Sequence, residues 1–294
     1  MALIDGGALR DFDLVYLSRH DTPVDRRYAN QLGETARSFH YLHLPPVKPD
    51  IRGKIQSLSR FRQLGLPEYR EVFLASLNAY AFRKVLAKNR QASVFGFDDG
   101  TANIFSGSLY FDTRRYKKSL FYEKLLGLPS VEQVKNRIQS HYSIFPGFEN
   151  IIEADRLSFV SLFSGKDEPE NRTGTAASYF IGQPFSEYLD HRDLERLRSA
   201  LAHAPVDHYL QHPREIHPLL PDTPRLADHD LIAEDAIFQH AAGQRPTLVG
   251  GFSTVLFNIP ATAADKVMFL SEHDPALELR GSLARRAGCE VRIF

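Results

Sequence analysis

The run SVFGFDDGTANI, Ser93 to Ile104, closes a β-branched and aromatic stretch with two adjacent carboxylates, a glycine and small polar residues. An apolar run of this kind reads as a buried strand, and in an open α/β sheet ligands bind at the carboxyl ends of strands. Asp98, Asp99 and Gly100 then stand at the mouth of a site, although Asp-Asp-Gly serves equally as a strand-ending turn. Three features of the second half suit a phosphate and a ribose. The turn Gly251, Phe252, Ser253, Thr254 follows a short strand and offers backbone N–H groups and two hydroxyls to an anion; Ser and Thr are also ordinary helix caps. His212, with Pro213 and Arg214 behind it, ends a strand where imidazole and guanidinium can meet a phosphate. Glu234, beside Asp235, can accept hydrogen bonds from ribose hydroxyls or simply serve the positive end of a helix dipole. Together they describe a nucleotide-binding lobe.

The elements that must carry these residues alternate. FDLVYLS (Phe12 to Ser18) and SFHYLHL (Ser38 to Leu44) read as strands, the second closed by Pro45-Pro46. Ile51 to Leu64 has helical spacing, VFLASL (Val72 to Leu77) is a strand, AYAFRKVLAKN a helix, and SVFGF the strand that delivers the two aspartates. Strand and helix in turn is the pattern of a doubly wound parallel sheet. Residues 106–150 are different: RRYKKSLFYEKLL reads as a solvated amphipathic helix with a weak role in acceptor or membrane-surface contact. GKDEPENRTGT (Gly165 to Thr175) is polar and turn-rich, a linker between residues 1–165 and 176–294. Beyond it follow a strand at ASYFIG (Ala177 to Gly182), a charged helix from Leu189 to Ala204, and a strand at DHYLQHPRE (Asp207 to Glu215) running into a His-Pro turn. A helix from Asp230 to Gly243, the strand and turn of TLVGGFSTVLFNI, and a last helix end and strand complete the chain.

Composition narrows the classes. The 294 residues hold 36 Lys plus Arg against 36 Asp plus Glu, so no net field recruits nucleic acid or an acidic membrane. One cysteine, Cys289, excludes an internal disulfide framework and a cysteine-based metal site, and fits a reducing compartment. No stretch approaches the roughly 20 apolar residues of a membrane span, and no signal-peptide pattern stands at the N-terminus. A soluble or peripheral cytoplasmic protein is the expectation.

Eight segments in order resemble the bacterial sialyltransferases of glycosyltransferase family 52, the lipooligosaccharide α-2,3-sialyltransferase type. They are HLP (His43 to Pro45), LASL (Leu74 to Leu77), FDDGTANI (Phe97 to Ile104), HYSIFPGFENI (His141 to Ile151), FIGQP (Phe180 to Pro184), QHPRE (Gln211 to Glu215), LIAEDAI (Leu231 to Ile237) and GGFST (Gly250 to Thr254). The resemblance implies an α/β, GT-B-like architecture: two Rossmann-like lobes facing a central cleft, with the acceptor held by the N-terminal lobe and the CMP-sugar donor by the C-terminal one. It implies inverting transfer of sialic acid from CMP-sialic acid to a terminal galactose-type hydroxyl of a bacterial surface glycan. By position it gives His212 the donor phosphate, with Pro213 and Arg214 beside it, Glu234 the ribose or base, and Ser253 the phosphate with Thr254 assisting. It also implies a homodimer. Relatives often carry a hydrophobic N-terminal anchor that is absent here, so association with the inner membrane is expected through a surface patch or a partner.

One departure bears on the chemistry. The family's lipooligosaccharide enzyme carries an acid directly after the Gly-x-Pro turn, which looks like its catalytic base; here Gly182, Gln183 and Pro184 are followed by Phe185. The nearest acid is Glu187, with Asp190 a helical step further. In an inverting transfer a carboxylate removes the acceptor proton while the leaving phosphate is stabilised by a cation or acid. Glu187 is the preferred base and Asp99 the runner-up, because other sialyltransferase families use the second Asp of that motif. A single phosphate needs no metal where a His and a helix start neutralise it, so no cofactor and no metal are expected. Two rivals remain open: a family-52 hexosyltransferase using a UDP-sugar, and a non-catalytic nucleotide- or glycan-binding protein on the same scaffold.

Overall fold

Runs of apolar and β-branched residues separated by amphipathic helices produce parallel pairing throughout. The computed structural model describes residues 2–5, 7, 9–45, 51–111, 121, 123–162, 175–204, 206–226 and 230–294. The chain divides into two units, Met1–Leu162 and Phe163–Phe294. The linker stretch Gly165 to Thr175 lies outside the described residues except Thr175, which already belongs to a strand. RRYKKSLFYEKLL falls mostly outside them as well.

In the first unit β1 (Asp13–Ser18) pairs with β2 (Ser38–His43), and a second sheet runs β3 (Glu71–Leu74), β4 (Ser93–Phe97), β5 (Ile138–Ser143), β6 (Leu157–Phe159). Every pair is parallel. The helices are α1 (Ala2–Asp5), α2 (Pro23–Gly33), α3 (Ile51–Arg62), α4 (Tyr80–Lys88) and α5 (Val131–Arg137). α2 and α5 start where a hydroxyl can satisfy the first free N–H groups: Thr22 and Ser130 each close a capping box, with Asp25 and Gln133. Leu74, Leu77, Leu86, Val94, Val134 and Ile138 form a core cluster of this sheet.

Two expectations change here. VFLASL does not remain a strand to Leu77: β3 stops at Leu74, and Ser76 turns the chain at φ 43°. β5 and β6 stand where no strand is expected. IQSHYS looks polar, yet Ile138, His141 and Ser143 are buried.

The second unit is one five-stranded parallel sheet in the order β11 (Glu290–Ile293), β10 (Asp265–Leu270), β9 (Arg245–Gly250), β7 (Thr175–Ile181), β8 (His208–Leu210). Its helices are α6 (His191–Leu201), α7 (Ala233–Ala241), α8 (Thr254–Asn258) and α9 (Leu277–Arg286). The chain goes from β7 to β8 on one side and returns to β9 on the other, so the topology reverses between the carboxyl ends of β7 and β9. Ligands of open α/β sheets bind at such a switch point. Phe180, Phe185, Leu197, Tyr209, Val249 and Phe269 pack the core. DHYLQHPRE is mostly turn: only His208–Leu210 pair as strand. Among the described residues no helix is long and apolar enough to cross a membrane.

Candidate active site

In the second unit the expected residues gather at the ends of three adjacent strands. Gly182 and Gln183 follow β7, His212 follows β8, and Gly251 to Thr254 follow β9. Crowding explains the glycines. A methyl group built on Gly182 would lie 2.6 Å from Glu215 Oε2 and 2.7 Å from the Leu210 carbonyl, and one on Gly251 would lie 2.4 Å from Gln183 Oε1. Gln183 ties the two sides of the switch point together: its Nε2 donates to the Phe252 carbonyl at 3.0 Å and its Oε1 accepts from the Tyr188 hydroxyl at 3.1 Å. One N–H and one lone pair of the Gln183 amide are thus engaged within the lobe.

His212 sits in a turn closed by the Glu215 N–H donating to the His212 carbonyl at 2.9 Å. The Arg214 backbone N–H donates to His212 Nδ1 at 3.0 Å. A ring that accepts at Nδ1 carries its proton at Nε2, so the turn sets the tautomer of the imidazole. Pro213 and Arg214 are exposed. The Arg214 guanidinium pairs with Glu187 Oε2 at 3.1 Å, both side chains about half exposed.

Ser253 is 8 % exposed at the start of α8, and its hydroxyl makes no capping bond there. Thr254 opens a helix of five residues, too short for much of the cumulative dipole expected of a helix start. Glu234, in the first turn of α7, accepts from Asn258 Nδ2 at 2.8 Å, which links α7 to the far end of α8. Burial pushes the Glu234 carboxyl up, against the pull of Asn258. Asp190 is accounted for as the cap of α6, accepting the Asp193 N–H at 2.9 Å. Phe185 lies in the core, stacked on Phe180, so an acid at that position would face apolar side chains.

The two aspartates of the first unit have opposite surroundings. The Asp98 side chain is 1 % exposed and accepts four hydrogen bonds: from His141 Nε2 at 2.9 Å, the Ser143 hydroxyl at 2.7 Å, the Ile144 N–H at 2.8 Å and Asn150 Nδ2 at 3.2 Å. Both oxygens are occupied, and Asp98 ties β4 to the end of β5. Gly96 makes room for this arrangement, since a methyl group there would lie 2.4 Å from His141 Nδ1. Asp99 is exposed. Its Oδ2 accepts from the Ser76 hydroxyl at 2.6 Å and the Tyr110 hydroxyl at 3.0 Å, and no hydrogen bond reaches Oδ1 among the described residues. Burial, reinforced by the Asp99 charge, pushes the Tyr110 hydroxyl up, so it stays a donor. Gly100 takes φ 75°, a left-handed turn that favours glycine.

Ser76, Tyr110, His141, Glu215 and Asn258 have no role in the sequence reading. QHPRE contains Glu215 and HYSIF contains His141, but neither spacing nor composition marks them as partners of Tyr209 or Asp98.

The family model of glycosyltransferase family 52 matches residues 51–274. The chain belongs to glycosyltransferase family 52. A family relative named N-acetyllactosaminide alpha-2,3-sialyltransferase, from Haemophilus influenzae, is 26% identical over 206 residues, 70% of this chain and 66% of that protein. Another, from Pasteurella multocida, is named CMP-N-acetylneuraminate:beta-galactoside alpha-2,3-sialyltransferase and is 29% identical over 235 residues, 79% of this chain and 73% of that one. The solved structure of an alpha/beta-galactoside alpha-2,3-sialyltransferase from Photobacterium phosphoreum aligns with 96% of this family-52 chain and 98% of its own, at 12% identity and a TM-score of 0.55. Its likeness, with that of other glycosyltransferase structures, identifies the fold class as GT-B, built from two Rossmann-like lobes.

Proposed function

We propose that this family-52 chain is an inverting sialyltransferase that moves sialic acid from CMP-sialic acid to a terminal galactose-type hydroxyl. The observation that carries the reading is the end of the C-terminal sheet. An imidazole fixed with its proton at Nε2 and the hydroxyl of the buried Ser253, which makes no capping bond, stand at the carboxyl ends of β8 and β9, the strands on either side of β7, around a topological switch point. The names of the Haemophilus and Pasteurella relatives support the donor and the galactoside acceptor.

The chemistry assigns one group to the acceptor proton and one to the charge of the leaving phosphate. Asp99 Oδ1 takes the proton of the acceptor hydroxyl as its oxygen bonds the anomeric carbon of the donor. The bond from that carbon to the CMP phosphate breaks, and its electron pair leaves on the phosphate oxygen, whose charge the His212 Nε2–H stabilises by donating a hydrogen bond. Asp99 is preferred over Glu187 because two hydroxyl donors fix one of its oxygens and leave the other open, whereas Glu187 pairs with Arg214. Ser253, with Thr254, bonds the donor phosphate and Glu234 the nucleoside. The N-terminal lobe, residues 1–165, takes the acceptor and the C-terminal lobe, residues 176–294, the donor.

An acceptor of the lipooligosaccharide type, a homodimer and a place at the cytoplasmic face of the inner membrane belong to the same reading through the family resemblance. The test is nucleotide release from CMP-sialic acid and from UDP-hexoses with a β-galactoside acceptor, in buffer and in excess EDTA. Release of CMP with transfer, undiminished by EDTA, is expected. Turnover of a UDP-hexose alone would overturn the donor, CMP binding without any transfer the enzyme, and metal-reversible loss in EDTA the metal independence.

A further inference from the structure

Glu215 is 7 % exposed, and the donor chemistry above does not use it. Its Oε1 accepts the Tyr209 hydroxyl, which itself accepts the Leu219 N–H at 3.1 Å. Its own N–H closes the His212 turn, and its carbonyl accepts Gln211 Nε2 at 2.7 Å. Oε2 is buried with no hydrogen-bond partner and lies against Gly182, whose missing side chain leaves it room. Burial pushes the carboxyl up, against the pull of the Tyr209 hydroxyl. A buried polar atom left unsatisfied is costly, so such a group calls for a compensating role.

We infer that Glu215 is a positioning residue for His212: held by Tyr209 and given space by Gly182, it fixes the backbone on both sides of the imidazole and so keeps the Arg214 N–H on Nδ1. The inference rests on the role proposed for His212. Loss of the carboxyl lets the turn relax, frees Nδ1 from Arg214 and removes the bias toward a proton at Nε2. The reaction then loses orientation at the leaving group while the donor nucleotide still binds.

The test is nuclear magnetic resonance of the full chain labelled in histidine, with the His212 signals identified by their loss in His212→Ala, combined with steady-state kinetics. Wild type should show the Nε2–H tautomer. Glu215→Ala should shift the His212 tautomer signals and lower kcat by up to about 10²-fold, with the donor KM and CMP Kd within about threefold of wild type. Glu215→Gln, which keeps the shape and an acceptor at Oε1, should restore most of both. Tyr209→Phe should move the same signals in the same direction, and it decides the question if Glu215→Ala does not fold. His212 signals that superimpose on wild type in folded Glu215→Ala, or in Tyr209→Phe, overturn the inference. A wild-type protein inactive with CMP-sialic acid would overturn the proposed reaction instead, and the resonance shifts would still decide the role of Glu215.

Discussion

A carboxylate serves as a base when one lone pair is left for the substrate and the rest of the group is held still. Asp99 meets both conditions through Ser76 and Tyr110, and Ser76 reaches it from a left-handed turn at φ 43°. Non-glycine residues hold such a conformation at a cost of about 1–3 kcal/mol, and sites are where that cost is commonly borne. Asp99→Asn should therefore bind CMP-sialic acid normally and lose transfer by about 10² to 10⁴-fold, the range a positioned base supplies. Glu187→Gln should change turnover by no more than about fivefold, the worth of an exposed ion pair. Parallel transfer and donor-binding assays check this, and the reverse ranking returns the base to Glu187. His212→Ala should cost about 10²-fold or more in kcat while melting like wild type, since the ring is partly exposed and its removal opens no core cavity. Wild-type turnover in that variant would remove His212 from the reaction.

Strand ends do the positioning, and the strands differ in how far the sequence reveals them. β4, β7 and β9 end in the apolar runs VFGF, YFI and LVG, so their carboxyl ends, with Asp98, Gly182 and Gly250, are readable from the chain alone. β5 is hidden because its buried positions are polar. His141 and Ser143 enter the interior with Asp98 as partner, and Ser140 bonds Ser158 of β6, so a polar-looking stretch is core. Glu215 escapes notice for the same reason: a buried carboxyl held by a tyrosine six residues before it looks like surface charge in one dimension. Packing around β5 gives a test. Gly96→Ala would force a methyl group into the His141 ring held by Asp98, and should destabilise the N-terminal lobe by about 1–3 kcal/mol, read as a lowered Tm. An unchanged Tm would mean that His141 is free to move aside. In the C-terminal lobe, Ser253→Ala and Glu234→Ala should each weaken CMP binding by about 1.5 to 3 kcal/mol, the worth of a hydrogen bond to a charged group. Calorimetric titration measures both, and unchanged affinity in both variants would move the donor away from α7 and α8.

The whole chain is electrically neutral, 36 basic against 36 acidic residues, but its acids are shifted in both directions, and within the second unit Ser178 holds the Asp207 carboxyl down while two glutamates move the other way. In the first, the Arg37 guanidinium chiefly holds the Asp13 carboxyl down at about 2. Asp25 is buried, which raises it, but hydrogen bonds from Ser18 and Thr22 prevail and hold it below the usual range. In the second, burial pushes Glu215 and Glu234 up. Stability rises with pH wherever the unfolded chain binds more protons than the folded one. For Asp13 and Asp25 the folded value lies below the unfolded one, so their contribution is present above the ordinary aspartate value of 3.8 and is lost as acid titrates the folded carboxyls, toward about 2 for Asp13. For Glu215 and Glu234 the folded value lies above the ordinary 4.5, so the folded lobe binds the extra proton. Their effect is a stability present at low pH and lost as the pH climbs through the raised values. Acidification from neutrality should thus first raise the melting transition of the C-terminal lobe, and only further acid should lower that of the N-terminal lobe. Scanning calorimetry across this pH range reads the two transitions. CMP, which stabilises the lobe that binds it, assigns the transitions. Replacing both glutamates by glutamine should flatten the C-terminal response above 4.5, and Asp13→Asn should flatten the N-terminal response below 3.8. Two transitions that fall together from neutrality, unmoved by either set of substitutions, would show that these four carboxyls do not govern the acid response.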